Sequence, residues 1–539
     1  MAADLVFSGG VVRTGDPGRP AARAVAVRSG RVVALDDDAL DQRGAGTQEV
    51  DLGGGALLPG FGDGHVHPLW GGVELGQAPV RDATTVADVA AAVRRHAEHQ
   101  PDDQWVLGGS YDPSLAPGGL FDARWLDEAV PDRPVYLESS DHHCAWVNSA
   151  ALRLAGIDRT TTDPPAATVA RRPDGEPLGT LVEWTAMDLV KRHVPPPTRA
   201  DRVAALAAAG RLLAAAGLTW VQEAALAPDD VDTYLAAAAS GLLPVRVNVA
   251  LRAEPDRWPD QLPEFIAARE RAATSARGSL TVSARTVKLF ADGIVEGGTA
   301  AMLEPYDDEP HSCGLPVWEP RQMATAVTAF DAAGFQVHIH AIGDAGVRAA
   351  LDAVESAGRA NGPRDRRPVL AHVHVVDPAD IPRFAELGVV ANVEPLWACL
   401  EPGMVALVLH RLGAVRADRQ YPFRSLVRAG ARLSMGSDWP VSSMVPLEGL
   451  AVAVTRQTAD GRPPGGWTPH ERLDPAAALS AYSAGVAYQA FEEAQWGRVA
   501  PGMRADLVAL DADPMATEPL AWPGIRVTGT WLGGVRTHG

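Results

Sequence analysis

At 539 residues the chain is too long for one ordinary compact core, and its 46% hydrophobic against 21% charged residues excludes a disordered protein, so a large domain with an added module is expected. Its 48 Lys and Arg against 67 Asp and Glu give a net charge of -19, which leaves no basic surplus to neutralise phosphates and argues against nucleic acid as a partner. Cys144, Cys313 and Cys399 stand far apart without a CxxC pair, which disfavours a disulfide framework or a thiolate zinc site and fits a reducing cytoplasm.

The opening segment MAADLVFSGGVVRTGD has no basic stretch followed by an apolar run. No stretch approaches the roughly 20 apolar residues of a membrane helix, so a cytoplasmic location without a membrane partner is expected. Short runs at Asp4–Ser8, Val11–Thr14, Ala22–Arg28, Val32–Leu35 and Ala56–Leu58, separated by Gly and Asp turns, predict a small β module. The same texture returns in ADLVALDADP and RVTGTWLGGV, after a helical stretch around Ala476–Glu493. The two chain ends, 1–58 and 497–539, are therefore expected to pair in one β-sandwich domain.

Between them, apolar β-rich runs alternate with Ala-rich helical stretches, the pattern of βα units around a parallel sheet. The runs are FGDGHVH (61–67), LTWVQEA (218–224), LPVRVNVAL (243–251), RTVKLFAD (285–292), FQVHIHAI (335–342), VLAHVHVV (369–376), VVANVEP (389–395) and RLSMGSD (432–438). Eight is the number a (β/α)8 TIM barrel needs, and residues 59–74 and 201–496 are expected to form one. The gap of about 150 residues after the first run is far more than a crossover helix requires. Residues 75–200 are thus expected to be an α/β insertion covering the active-site mouth. Its expected elements are a helix near Val86–His99, strands WVLGGS and PVYLESS, a helix near Val147–Leu154 and a Pro- and Thr-rich stretch around Thr160–Pro177, before helix Arg202–Ala216 returns to the barrel.

In GHVHP, His65 and His67 at i,i+2 share one face of a strand and can bind one metal, although an isolated HxH is more often two hydrogen-bonded histidines. Lys288 in RTVKLFAD shares a face with Thr286 and Phe290. If that face is the interior, burial makes a neutral amine available for chemistry such as carbamate formation; otherwise Lys288 pairs with Asp292 or Glu296. VHIHAIGD and AHVHVVDP each carry an HxH, and sequence does not decide between His338 and His340 or between His374 and His372. Asp438 ends the eighth run, where a carboxylate can ligate a metal and accept a proton from water, or cap a turn before Pro440. All these positions lie at one end of strands one, four, five, six and eight, with ligand types suited to zinc or a similar divalent ion.

The chain resembles the amidohydrolase superfamily, family 3, and more closely the branch containing N-substituted formamide deformylases. The resemblance runs essentially end to end, through LLPGFGDGHVHP, DHHCAWVNSAAL, GTLVEW, TVKLFADG, VHIHAIGDAGV, AHVHVVDPADIPRFAELGV, SMGSDWPVSSMVPLEGL and WGRVAPGMRADLVALDADP. It implies His65, His67 and Asp438 on one metal, His340 and His372 on a second, and Lys288 as a carboxylated bridge; it also implies that His143 contacts substrate. Two positions depart from the family. Ala371-His372-Val373-His374 stands where relatives usually have Glu-His-Ala-Gln, which alters the surroundings of His372. Glu394 stands where relatives commonly have Gln, suggesting with Trp397 a different substrate wall.

The resulting expectation is an enzyme that hydrolyses an amide or N-substituted formamide C–N bond, using one or two divalent ions, Zn2+ first, and a CO2-derived carbamate on Lys288. Asp438 would act as general base and acid, and His143 would assist at the oxyanion. Trp70, Trp397 and Trp439 near strand ends, with His143 and Glu183, are the expected substrate contacts, while Trp146, Trp184 and Asp112 serve equally well as packing or structural residues. The partner is a small-molecule substrate, and the reading allows a homodimer. The rivals are a mononuclear deaminase, a cyclic-amide or ester hydrolase, and a catalytically silent binding relative.

Overall fold

The computed structural model describes residues 2–101, 105–140, 142–164, 167–275 and 282–539. Asp141, the first residue of DHHCAWVNSAAL, and residues 165–166 of the Pro- and Thr-rich stretch lie outside the described residues. The chain divides into two compact units, one made of the chain through His67, Ala209–Asp438 and Ser443–Gly539, the other of Pro68–Ala208 and Trp439–Ser442.

In the first unit, eight runs rich in Val, Leu, Ile and Ala become parallel strands β1 (Phe61–Val66), β2 (Leu218–Leu226), β3 (Arg246–Arg252), β4 (Val282–Phe290), β5 (Gln336–Ala341), β6 (Val369–His372), β7 (Val390–Val393) and β8 (Arg432–Met435). They hydrogen-bond in that order, as expected of a TIM barrel. The seam between β8 and β1 is drawn together by Asp63, which accepts from Ser437 Oγ at 2.6 Å and Ser437 N at 3.1 Å, while Asp438 N donates to His65 O at 2.8 Å. Helices alternate with the strands. In Asp344–Asn361, for example, Val347, Ala350, Leu351 and Val354 are buried at the i, i+3, i+4, i+7 spacing of one apolar stripe.

The barrel interior carries a polar layer. Asn248 Nδ2 donates to Gln222 Oε1 (2.8 Å) and Thr286 Oγ1 (2.7 Å), and Thr286 Oγ1 bonds Gln336 Oε1 at 3.1 Å. Across the barrel, Asn392 Nδ2 donates to Ser434 Oγ at 2.9 Å, and Gln489 Nε2 to Gly64 O at 2.8 Å. Buried amides tolerate this environment because they satisfy one another, which fixes side-chain directions on several strands at once.

Both chain ends form the expected sandwich. Leu507–Leu510 pairs antiparallel with Ala56–Pro59 in a six-stranded sheet, facing a four-stranded sheet that contains Leu5–Ser8 and Val25–Arg28. Phe7, Val25 and Val27 share one core with Leu57, Leu507 and Trp531, and the Phe7 and Trp531 rings meet edge-on at 4.9 Å.

The second unit has its own six-stranded sheet and cores. Helix Val86–Ala97 starts at Thr85, whose side chain accepts from Asp88 N, and buries Val89, Ala92, Val93 and Ala97. The helix expected near Val147–Leu154 is shorter. Cys144–Val147 is a strand, because its alternating side chains fit the sheet, and the helix Ser149–Leu154 begins only after Asn148 caps Ala151 N. The Pro- and Thr-rich stretch also contributes a strand, Thr168–Arg171, paired with Pro177–Val182.

Candidate metal centre

The pleat of β1 puts His65 and His67 on one face at its C-terminal end, and the residues after β8 bring Asp438 to them. His67 Nε2 lies 3.1 Å and His65 Nε2 3.4 Å from Asp438 Oδ1, and one ligand atom from each of the three residues falls within a 4.8 Å cluster. Lys288 Nζ, on β4, is 3.4 Å from His65 Nε2. The His372 ring, at the end of β6, lies 4.8 Å from that of His65 and 4.6 Å from that of His340 on β5. The six residues thus form one connected, buried group at the C-terminal ends of five strands.

Each imidazole is held from behind. His65 Nδ1 bonds His338 Nε2 at 2.9 Å, His67 Nδ1 lies 3.4 Å from Glu223 Oε1, His340 Nε2 faces Gly293 O at 3.0 Å, and His372 Nδ1 meets Glu394 Oε2 at 2.9 Å. Such partners fix ring tautomer and tilt, as metal-binding histidines require. Backbone strain concentrates here too: His372, Val373 and Asp438 have φ of 75°, 49° and 53°. A non-glycine residue in that region costs on the order of 1–3 kcal/mol and persists where the surroundings dictate it.

Burial, reinforced by Lys288 and His372, pushes His65 well below the usual histidine range. Burial also opposes charge on His67, but hydrogen bonds to Asp438 and Glu223 outweigh it and raise its pKa to about 9. Lys288 is lowered to about 7, chiefly by burial and against the pull of Asp438 and Glu394, so a neutral amine is accessible. Imidazole nitrogens converging with a carboxylate oxygen, with a second carboxylate behind His67, make a buried donor set that favours a positive charge between them. Zinc and similar divalent ions fit it. Lys288 does not pair with Asp292, whose carboxylate instead accepts from the N–H groups of Ala301, Ile342 and Gly343.

A model of the amidohydrolase family matches residues 48–538. The chain belongs to amidohydrolase family 3. Membership makes it a metal-dependent hydrolase acting on carbon–nitrogen bonds other than peptide bonds. It is 33% identical over 532 residues to the protein LONG AFTER FAR-RED 3 of Arabidopsis thaliana, covering 95% of this chain and 88% of that one. It is 26% identical to the N-substituted formamide deformylase of Arthrobacter pascens, covering 99% and 98%. A metal-dependent hydrolase of Pyrococcus horikoshii shares the fold, with a TM-score of 0.74 and 22% identity over 96% of this chain and 99% of that one.

Among the departures of this amidohydrolase, Glu394 is not a wall residue. It is 1% exposed on its side chain and faces His372, so the residue directly after β7 supplies the acid that Ala371 does not. The extra histidine of that motif turns elsewhere: His374 Nε2 bonds Gln420 Oε1, and its ring stacks on Tyr421. His338 stands behind His65. The only sequence signal of Glu223 is its position, a carboxylate near the C-terminal end of a barrel strand.

Trp397 lies flat on His372, with ring centroids 5.3 Å apart and planes 10° apart. The remaining candidates of this amidohydrolase lie in the second unit. His143 Nδ1 bonds Glu183 Oε2 at 3.0 Å and stacks on Trp184; Trp70 lies over His142, which bonds Glu138 at 3.1 Å. Trp439 is buried where a Cβ on Gly71 would fall 2.3 Å from its ring. Trp146 is a core residue donating to Asp122 O, and Asp112 caps the turn Pro113–Leu115.

Proposed function

We propose that this enzyme hydrolyses an N-formyl or related amide C–N bond, with Asp438 as the proton-transfer group and His65, His67, Asp438, Lys288, His340 and His372 as the residues that hold its divalent ions, Zn2+ first. The observation that carries the reading is the convergence of His65, His67 and Asp438 on β1 and β8 beside a buried, readily neutral Lys288. The formamide preference is supported by the 26% identity, over nearly the full length of both chains, to an N-substituted formamide deformylase.

Divalent ions bound at these residues would lower the pKa of a water toward neutrality and polarise the carbonyl. Asp438 accepts the proton of the attacking water and passes it to the departing nitrogen, so that a poor amine leaves neutral. Lys288 reacts as the neutral amine with CO2, forming the N–C bond of a carbamate and releasing one proton. The carbamate then carries two oxygens to a place where the lysine alone offers one nitrogen. His340 Nε2 is bonded to Gly293 O, so Nδ1 is the nitrogen that would have to face an ion.

The test combines metal analysis, intact mass and turnover against N-formyl, N-acyl, cyclic amide and ester compounds. Two metal equivalents, a CO2 adduct confined to Lys288 and turnover of N-formyl compounds are expected. A single metal with an unmodified lysine would exclude the carbamate scheme. Asp438→Asn should lower turnover by about 10²–10⁴-fold with the fold intact. Unchanged turnover in that variant removes Asp438 from the chemistry.

A further inference from the structure

We infer that Glu394 is a positioning residue, fixing the ring of His372 and thereby setting how tightly the His340–His372 half of the centre holds its cation. The inference rests on the metal reading above. Glu394 directly follows β7, the neighbour of β6, and its Oε2 lies 2.9 Å from His372 Nδ1, with both side chains at most 2% exposed. Trp397, in the turn Pro395–Trp397 that Glu394 opens, stacks parallel on the same imidazole. One four-residue segment therefore holds both the rotation and the tilt of the ring. Control from outside is needed because the His372 backbone sits at φ 75°, where its own chain conformation is not the relaxed one.

The direction of the effect follows from charge. With Nδ1–H donating to Glu394, the lone pair of His372 lies on Nε2, and a carboxylate on the far nitrogen makes that lone pair a stronger donor. The carboxylate is itself expensive to bury, and among the described residues no Lys or Arg forms an ion pair with it. Glu138 makes the contrast: it is buried too, though less deeply, and is bonded to Lys191 at 2.6 Å as well as to His142. A cation on His372 would add to the attraction that Lys288 exerts on Glu394 from beyond ion-pair distance.

The experiment uses full-length enzyme reconstituted with Zn2+ and follows metal content and release to a chelator for wild type, Glu394→Gln, Glu394→Ala and His372→Ala. Glu394→Gln keeps size and a hydrogen-bond acceptor but removes the charge. It should speed release of one metal equivalent by about tenfold or more while leaving the other at the wild-type rate. Glu394→Ala should approach His372→Ala, which lacks that equivalent. Cobalt-loaded enzyme, read by its visible absorption, makes the same comparison without turnover. Wild-type release from both glutamate variants, with an equivalent lost in His372→Ala, overturns the role of Glu394 while the metal reading stands. Wild-type enzyme that takes up no stoichiometric divalent ion overturns both.

Discussion

Replacing Glu138 by Gln tests the electrostatics of the second unit quantitatively. Burial alone would raise this carboxyl, yet His142 at 3.1 Å and Lys191 at 2.6 Å hold it down at about 2, from an ordinary 4.5. A folded-state pKa below the unfolded value means stability that is complete above about pH 4.5 and disappears as pH falls through about 2. A shift of this size corresponds to about 3 kcal/mol at pH 7 and about 1.5 kcal/mol at pH 3. Denaturant unfolding of wild type and Glu138→Gln, followed by a probe in the second unit across this pH range, should show the variant weaker by that amount at pH 7 and the gap narrowing on acidification. Equal stability at pH 7, or a gap independent of pH, would refute the reasoning. Because Trp184 Nε1 donates to His142 O, the variant should also loosen the turn that carries His143.

Three further outcomes follow from the geometry. His374→Ala should leave metal stoichiometry intact by elemental analysis, since that ring bonds Gln420, whereas His372→Ala should lose an equivalent. Arg456 is fully buried, donates to the carbonyls of Gln420 and Tyr421 and bonds Thr468, so Arg456→Met, which leaves those acceptors unpaired, should cost about 1–3 kcal/mol in chemical denaturation. A Cβ at Gly343 would fall 2.0 Å from Ala301 O, so Gly343→Ala should cost about 2–3 kcal/mol and disturb the loop that Asp292 gathers beside His340, read as a lower melting temperature.

The barrel was legible because each of its strands is an apolar run bounded by Gly, Asp or Pro, and because eight is a number few architectures require. The strand Cys144–Val147 was not, since four residues running straight into a capped helix share one apolar stretch with it. The histidine pairs stayed ambiguous for a geometric reason: period two places His338 with His340, and His372 with His374, on the same face, and only the tertiary partners distinguish them. His338 meets His65, while His374 meets Gln420. Glu223 carries no motif, and Glu394 stands out only as a departure from its relatives. A carboxylate at a strand end reads as solvated until the fold brings an imidazole within reach, so these positions become intelligible only in three dimensions.

The sandwich formed by the two chain ends has a bearing on how the enzyme is made. Arg13 and Asp513 pair across 500 residues of chain, and Ala56–Pro59, only two residues before the first barrel strand, is completed by Leu507–Leu510. During synthesis the strand that leads into His65 and His67 therefore waits with an unpaired edge until Leu507–Leu510 has left the ribosome. Nascent chains arrested before Leu507 should be the aggregation-prone and chaperone-bound species, and the barrel entrance should be the last part of the first unit to become protease-resistant.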